Sequence, residues 1–291
     1  MRKSYLNRIK ANISIYARTN TSSLLDGNYK SIYKGKSLNF DDLREYVVGD
    51  SVKDIDWKAS SRTRKLLVKQ YVAEKTHNVM LILDTDKKML GFSSDDEIKK
   101  DIALMTAGTI SYLCSKNGDS VGAIYNKDNK MEYFPFRNDL FNLEKILGKY
   151  DKDIVDTNTS DINKTLEYIQ NHVRKSMIIF IITDIDGMDN INSNYFRELS
   201  MKHDIMLINI SDGFVFGKNV FDMDSNSFIP NIFSKNKTLF ELEAQMKDEM
   251  YISCVNKISK YRVGIVTINN ISEIPMKIIK LMEEYKYANR H

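Results

Sequence analysis

The chain has little of what secreted and membrane-bound folds are built from. Two cysteines, Cys114 and Cys254, lie far apart in segments of helical periodicity, so neither a disulfide framework nor a thiolate metal site finds support. A reducing compartment is implied. No apolar run approaches the ~18 residues a membrane helix needs, and the opening stretch MRKSYLNRIK carries neither an apolar signal core nor a cleavage site. The expectation is a cytoplasmic protein with no membrane span. Three prolines and the lack of any repeat or low-complexity tract leave no evident linker. The four histidines, His77, His172, His203 and His291, show no metal-ligand spacing and no nucleophile partner. Gly35-Lys36-Ser37 suggests a phosphate loop, but Lys30 stands where that motif needs its first glycine. A glycine-rich nucleotide fingerprint and a serine elbow are missing as well. No catalytic residue is therefore assigned.

What is present is a core: 42% hydrophobic residues, with 10% aromatics, in 291 residues can fill one large domain or two modest ones. Net charge is +4, unevenly spread, with sixteen Lys/Arg against eight Asp/Glu before His77 and 27 against 31 from there on. The bases of the first segment alternate with acids, which reads as a solvated surface, and nucleic acid is not expected as a partner. The change of character near residues 74–78 divides the chain into an N-terminal basic region, 1–76, and a second domain, 77–291.

From Asn78 on, short apolar runs alternate with amphipathic stretches, the pattern of a mostly parallel sheet wrapped by helices. Strands are expected at Val79–Leu83, Val121–Tyr125, Met131–Phe134, Met177–Thr183, Ile205–Ile210 and Val263–Ile268, the third as an antiparallel edge. Helices are expected at Asp95–Lys116, opened by a Ser94/Glu97 capping box, and at Asp139–Gly148, Asp161–Arg174, Asn194–Met201, Leu239–Lys260 and Ile274–Tyr287. Before the boundary, a short helix is expected around Phe40–Tyr46, a turn at Gly49-Asp50 and a strand at Leu66–Ala73.

In an open α/β sheet, ligands gather beyond the carboxyl ends of the strands. Here those ends carry Asp84 and Asp86 after the first strand, Asp184 and Asp186 after the fourth and Asp212 after the fifth. Asp84 and Asp184 are expected to share a pocket, since both follow central strands. Asp186 and Asp212 read as turn-forming or capping residues.

The window Phe40–Ser60 holds six acids, three bases and the only tryptophan. Its residues Phe40-Asp41-Asp42-Leu43-Arg44-Glu45-Tyr46, Gly49-Asp50, Ile55-Asp56-Trp57-Lys58-Ala59-Ser60, and then Arg62, Leu66 and Val68, resemble the signature of the bacterial domain of unknown function 58 family. The resemblance runs over roughly residues 35–285. It implies an α/β fold, a von Willebrand factor A-like mostly parallel sheet flanked by helices on both faces, preceded by a smaller N-terminal signature region. It also implies a MoxR-type AAA+ ATPase as protein partner, in the assembly or activation of a protein complex.

Such folds typically carry a metal-ion-dependent adhesion site of pattern Asp-x-Ser-x-Ser, a Thr in a second loop and an Asp in a third. Asp84 and Asp184 match, Asp86 and Lys88 replace the two serines, and Thr159 or Ser160 takes the second-loop position. An ammonium ~4 Å from a carboxylate gains about 4 kcal/mol at an effective dielectric near 20. The site is therefore expected to have degenerated, with Lys88 or Lys87 salt-bridged to Asp84 and Asp184 and no metal or other cofactor. A Mg²⁺ retained by Asp84, Asp86 and Asp184 is the opposing expectation, and a metal-dependent phosphoesterase or nuclease using those residues is its functional counterpart. The signature itself is expected to be a clasp of Arg44, Asp50, Asp54, Asp56 and Arg62 with Trp57 and Tyr46 packed on the sheet domain, or else a partner-binding surface of Arg44, Tyr46, Asp50, Asp56, Trp57 and Arg62.

Overall fold

Strands whose side chains are buried on both faces read as unbroken apolar runs, and two such runs form the centre of the molecule. Asn78–Leu83 (β3) and Ile178–Asp184 (β6) are buried along almost their whole length. They pair in parallel, Leu83 opposite Ile182. The computed structural model describes residues 4–19, 39–72, 76–213, 221–222, 227–228 and 237–288.

Around that pair lie Ser120–Lys127 (β4), Lys130–Arg137 (β5), Asp204–Ile210 (β7) and Gly264–Ile268 (β10), giving a six-stranded sheet in the order β10-β7-β6-β3-β4-β5. Every pairing is parallel except that of β5 with β4. The expected antiparallel edge is thus observed, and all six expected strands are present with ends shifted by a few residues. The chain runs from β3 outward to β5 and then returns to add β6 on the other side of β3. The β3/β6 seam is therefore the point where strand order reverses, the place open sheets use for ligands.

Helices cover both faces. On one, Met80, Ile82, Ile179, Ile181 and Leu207 of the sheet pack against Ile162–His172 (α5), Ile185–Asp189 (α6), Ser193–Leu199 (α7) and the C-terminal part of Lys237–Ile258 (α8). On the other lie Tyr5–Thr19 (α1), Lys99–Lys116 (α3), Leu140–Asp153 (α4) and Ile274–Ala288 (α9). Each fully buried Ile or Leu contributes about 1.5–3 kcal/mol, so this double layer is the main source of stability. A two-stranded ladder, Phe221–Asp222 (β8) with Ser227–Phe228 (β9), follows β7.

Two expectations are corrected here, and one helix is added. Helix α3 begins at Lys99 and not at Asp95: Phe92 and Ile98 form an antiparallel bridge, and Glu97 N donates to Ser93 Oγ at 3.3 Å, which holds 92–98 as a loop. Helix α1, which periodicity did not reveal, is set on the sheet domain. Its Ile9 is fully buried, and Glu144 accepts from the Leu6 amide at 2.8 Å at the helix N-terminus. Most directly, Phe40–Tyr46 is not helical: Asn39–Glu45 (β1) is a strand, paired antiparallel with Leu67–Val72 (β2) through Arg44↔Val68 and Glu45↔Leu67.

The chain forms two units, one of Met1–Tyr29 with His77–His291, the other of Lys30–Thr76. The division drawn from composition grouped residues 1–76 together. In the structure, α1 goes with the sheet. The second unit contains β1, β2 and the short helix Trp57–Thr63 (α2), which Asp56 caps by accepting from Ala59 N at 3.0 Å.

Candidate functional site

The β3/β6 seam delivers Asp84 and Asp184 side by side, both buried. Asp84 Oδ2 accepts from Thr183 Oγ1 at 2.7 Å and Oδ1 from Asp86 N at 2.9 Å, while its carbonyl accepts from the Tyr150 hydroxyl at 2.7 Å. Asp184 Oδ1 caps α6, accepting from Gly187 N at 2.9 Å. Gly187 must be glycine for packing reasons, because a Cβ there would fall on Thr183 Oγ1 and come within 2.8 Å of Asp84 Oδ2. Local turn chemistry at the two strand ends thus fixes the carboxylates.

Their counter-ion is not the expected one. The other oxygen of Asp184 accepts from Lys99 Nζ at 2.8 Å, and the same ammonium is paired with Asp212. Lys99 is the first residue of α3, its amide donating to Gly91 O at 2.9 Å, and its side chain is only 4% exposed. The salt bridge assigned to Lys88 or Lys87 is therefore corrected to Lys99. Burial alone would raise the Asp184 carboxyl, but the Lys99 ammonium outweighs it and holds the group below its usual range. Asp84 enters no ion pair among the described residues, although the Lys88 ammonium feels its charge: burial first, and the Asp184 charge second, push it up to about 6. One of two neighbouring acids is held ionised and the other is drawn toward its neutral form.

Above the pair opens a cavity of about 350 Å³ lined by Asp84, Asp86, Lys88, Ser160, Asn163 and Asn190, among others. Asp86 stitches its rim, accepting from Lys88 N at 3.0 Å and from Ser160 N at 3.3 Å. Ser160 Oγ is buried with no hydrogen-bond partner among the described residues. Of the two second-loop residues, it is Ser160 that reaches the cavity. Thr159 is exposed and donates its amide to Asp128 Oδ1 at 3.3 Å. Lys88 lines the cavity half-buried. Desolvation would lower its ammonium, but Asp184, Asp186, Asp86 and Asp84 together raise it.

Asp186 and Asp212, read from sequence as turn formers, come to the same place. Asp184, Asp186 and Asp212 each offer a carboxylate oxygen within 4.8 Å of the others, an arrangement of acids that could hold a metal ion. A divalent cation prefers oxygen ligands and would meet the Lys99 ammonium on two of the three. Asp84 and Asp86 share their cavity with Lys88, and Asp184 is already paired with Lys99. Lys99 and Asp212 are the site residues that sequence reasoning missed or undervalued.

In the second unit, Arg44 forks onto Asp50, Nη1–Oδ2 at 2.7 Å and Nη2–Oδ1 at 2.6 Å, and the Val47 amide donates to Asp50 Oδ2 at 2.9 Å. The guanidinium holds Asp50 below the usual carboxylate range. Gly49, at φ +111°, closes this turn in a conformation that favours glycine. The clasp is thus smaller than expected. Asp56 joins it through α2 and Lys69 at 3.7 Å, but Asp54 and Arg62 enter no ion pair among the described residues. Tyr46 is half-buried, its amide bonded to Leu66 O at 2.8 Å, whereas Trp57 is 62% exposed and does not form a packed clasp centre.

Residues 42–214 match the family model described as protein of unknown function DUF58. The chain belongs to the DUF58 family. Curated relatives include uncharacterized proteins of Mycobacterium tuberculosis and Mycobacterium bovis, 26% identical over 125 residues. The match covers 43% of this chain and 39% of theirs, so the chain spans about two fifths of their length. Solved structures similar to this DUF58 chain include the conserved hypothetical protein BatB from Bacteroides thetaiotaomicron, at 12% identity and TM-score 0.45, covering 72% of this chain and 99% of that one. A von Willebrand factor type A protein from Catenulispora acidiphila follows at 7% identity and TM-score 0.37, covering 76% of this chain and 44% of that one. The DUF58 fold here is the expected mixed α/β architecture, with a mostly parallel sheet between helical layers. Among the described residues, no helix is long and apolar enough to cross a membrane.

Proposed function

We propose that this DUF58 protein is a cytoplasmic, non-catalytic interaction module whose sheet crown engages a MoxR-type AAA+ ATPase, in the assembly or activation of a protein complex. The observation that carries this reading is the Lys99 ammonium buried between Asp184 and Asp212. It supplies positive charge inside the protein at the position where a von Willebrand-type crown would draw it from a cation, so the adhesion site is degenerate. Asp84, Asp86, Lys88 and Ser160 then form a polar rim on which a partner side chain seats, over Asp184. Two buried thiols, Cys114 and Cys254, suit a reducing compartment.

The test is binding of the purified chain to the MoxR-type ATPase of the same cells, with and without ATP. Saturable binding weakened by Lys88→Glu is expected. Its absence, together with micromolar Mg²⁺ or Mn²⁺ binding by calorimetry, would overturn the reading.

One observation favours a second reading, a metal-dependent phosphoesterase or nuclease: the convergence of Asp184, Asp186 and Asp212 within 4.8 Å. That triad differs from the Asp84, Asp86 and Asp184 set expected from sequence. Phosphodiesterase activity with Mn²⁺ that disappears in Asp186→Ala, while the fold is retained, would establish it.

A further inference from the structure

The hairpin unit displays apolar side chains that its own fold does not use. Val47 is 62% exposed, Val48 94%, Val52 60%, Trp57 62% and Leu66 50%. Scattered apolar residues on a surface need no explanation, but five large ones within twenty positions do. They are held in place, not frayed. Val47 and Val48 sit on the turn locked by Arg44 and Asp50, Val52 opens a 3₁₀ turn, Trp57 begins α2, and Leu66 accepts from the Tyr46 amide at 2.8 Å.

The charges of the unit are just as uneven. Its acids are largely engaged internally: Asp50 by Arg44, Glu45 by Lys65, and Asp56 by the α2 amides and Lys69. The cations Lys53, Lys58, Arg62 and Arg64 are exposed and enter no ion pair among the described residues. All four fall within the same stretch as the exposed valines and Trp57. An apolar patch with free cations around it complements an apolar patch with carboxylates around it.

We infer that this hairpin is a docking surface for an acidic protein face, with Trp57 as its anchor and Lys58 and Arg62 as its charge readers. Trp and Arg are the side chains that dominate protein–protein hot spots. A lipid surface or a nucleic acid is a less suitable occupant. Asp54, next to Lys53, enters no ion pair among the described residues, and the apolar side chains lie in the same stretch, a mixed pattern that a protein face can match and a uniform polyanion cannot. The inference rests on the interaction-module reading and adds to it a second surface and the chemistry of what binds there.

Trp57 is the only tryptophan, so its fluorescence reports on the surface directly. The full chain is titrated with three probes: an amphipathic peptide of alternating Glu and Leu turns, phosphatidylglycerol vesicles, and a 20-base-pair DNA duplex. The MoxR-type ATPase is titrated in parallel. The expected result is a blue shift with the peptide that weakens with salt and is at least about tenfold weaker in Lys58→Glu/Arg62→Glu, whose far-ultraviolet dichroism and melting match the wild type. A shift with vesicles or DNA but not with the peptide overturns the inference. So does peptide binding that is equal in wild type and double variant; ATPase binding that is likewise unchanged leaves the interaction-module reading standing. Peptide binding without ATPase binding has the reverse meaning: the surface is confirmed and the MoxR partnership fails.

Discussion

Lys99 Nζ lies 2.8 Å from Asp184 Oδ2 with both side chains almost wholly withdrawn from water, although 85 positions separate them in the chain. Removing one member of a buried pair leaves a charge without compensation, which costs about 3–5 kcal/mol. Lys99→Met should therefore lower unfolding free energy in urea by that order. Adding Asp184→Asn should recover part of the loss, because the two substitutions act on one interaction. Equal destabilisation by the single and double variants would show that the ion pair is not the origin of the effect.

The acidity of Asp84 gives a pH signature. Its folded value of about 6 lies above the ~3.9 of an unfolded aspartate, so folding favours its protonated form. Its contribution to stability is greatest at low pH and is lost as pH rises through about 6. Asp184, held low by Lys99, acts in the opposite sense, its contribution disappearing as pH falls. The difference in unfolding free energy between wild type and Asp84→Asn isolates the first effect. It should change between about pH 4 and 6 and become flat above about 7.

Gly187→Ala places a methyl on Thr183 Oγ1 and against Asp84 Oδ2. Overpacking of this kind costs about 1–3 kcal/mol, to which the broken Thr183–Asp84 hydrogen bond adds. Gly148 is the control: its Cβ direction is open, so Gly148→Ala within α4 should stabilise by up to about 1 kcal/mol. Opposite shifts in melting temperature for the two glycines are expected.

Gly108 receives Ile9. A Cβ at Gly108 would strike Ile9 Cδ1 and lie 2.9 Å from Ile9 Cγ1 and 3.1 Å from Leu147 Cδ1. Gly108→Ala should lift α1 from the sheet domain at a cost of about 1–3 kcal/mol. Hydrogen exchange checks it: amides of residues 9–19 should lose protection while those of β3 and β6 keep theirs.

The central sheet was legible because each strand's burial is recorded in its own residues, as in Asn78–Leu83 and Ile178–Asp184. The hairpin was legible on one side only: its second strand, expected at Leu66–Ala73, runs Leu67–Val72, but its first was not foreseen. Phe40–Glu45 has no continuous apolar run, and its structure depends on pairing with Leu67–Val72, which local spacing does not reveal. The candidate site was half legible for a similar reason. Asp84 and Asp184 follow central strands and stood out, whereas Lys99 reads in isolation as a cation on the first turn of a helix, and only the tertiary fold turns it inward. Lys88 was favoured because it occupies a motif position, two residues after Asp86, yet the Asp86 turn that binds its amide sets its ammonium in the cavity beside the pair. Asp212 could have been weighed more heavily as the carboxylate following β7, the strand next to β6.

Ile55 and Val68 are buried in the hairpin unit. A two-stranded ribbon is marginal by itself. Warming should therefore melt the molecule in stages, with the amides between Arg44 and Val68 exchanging with solvent well before those between Leu83 and Ile182.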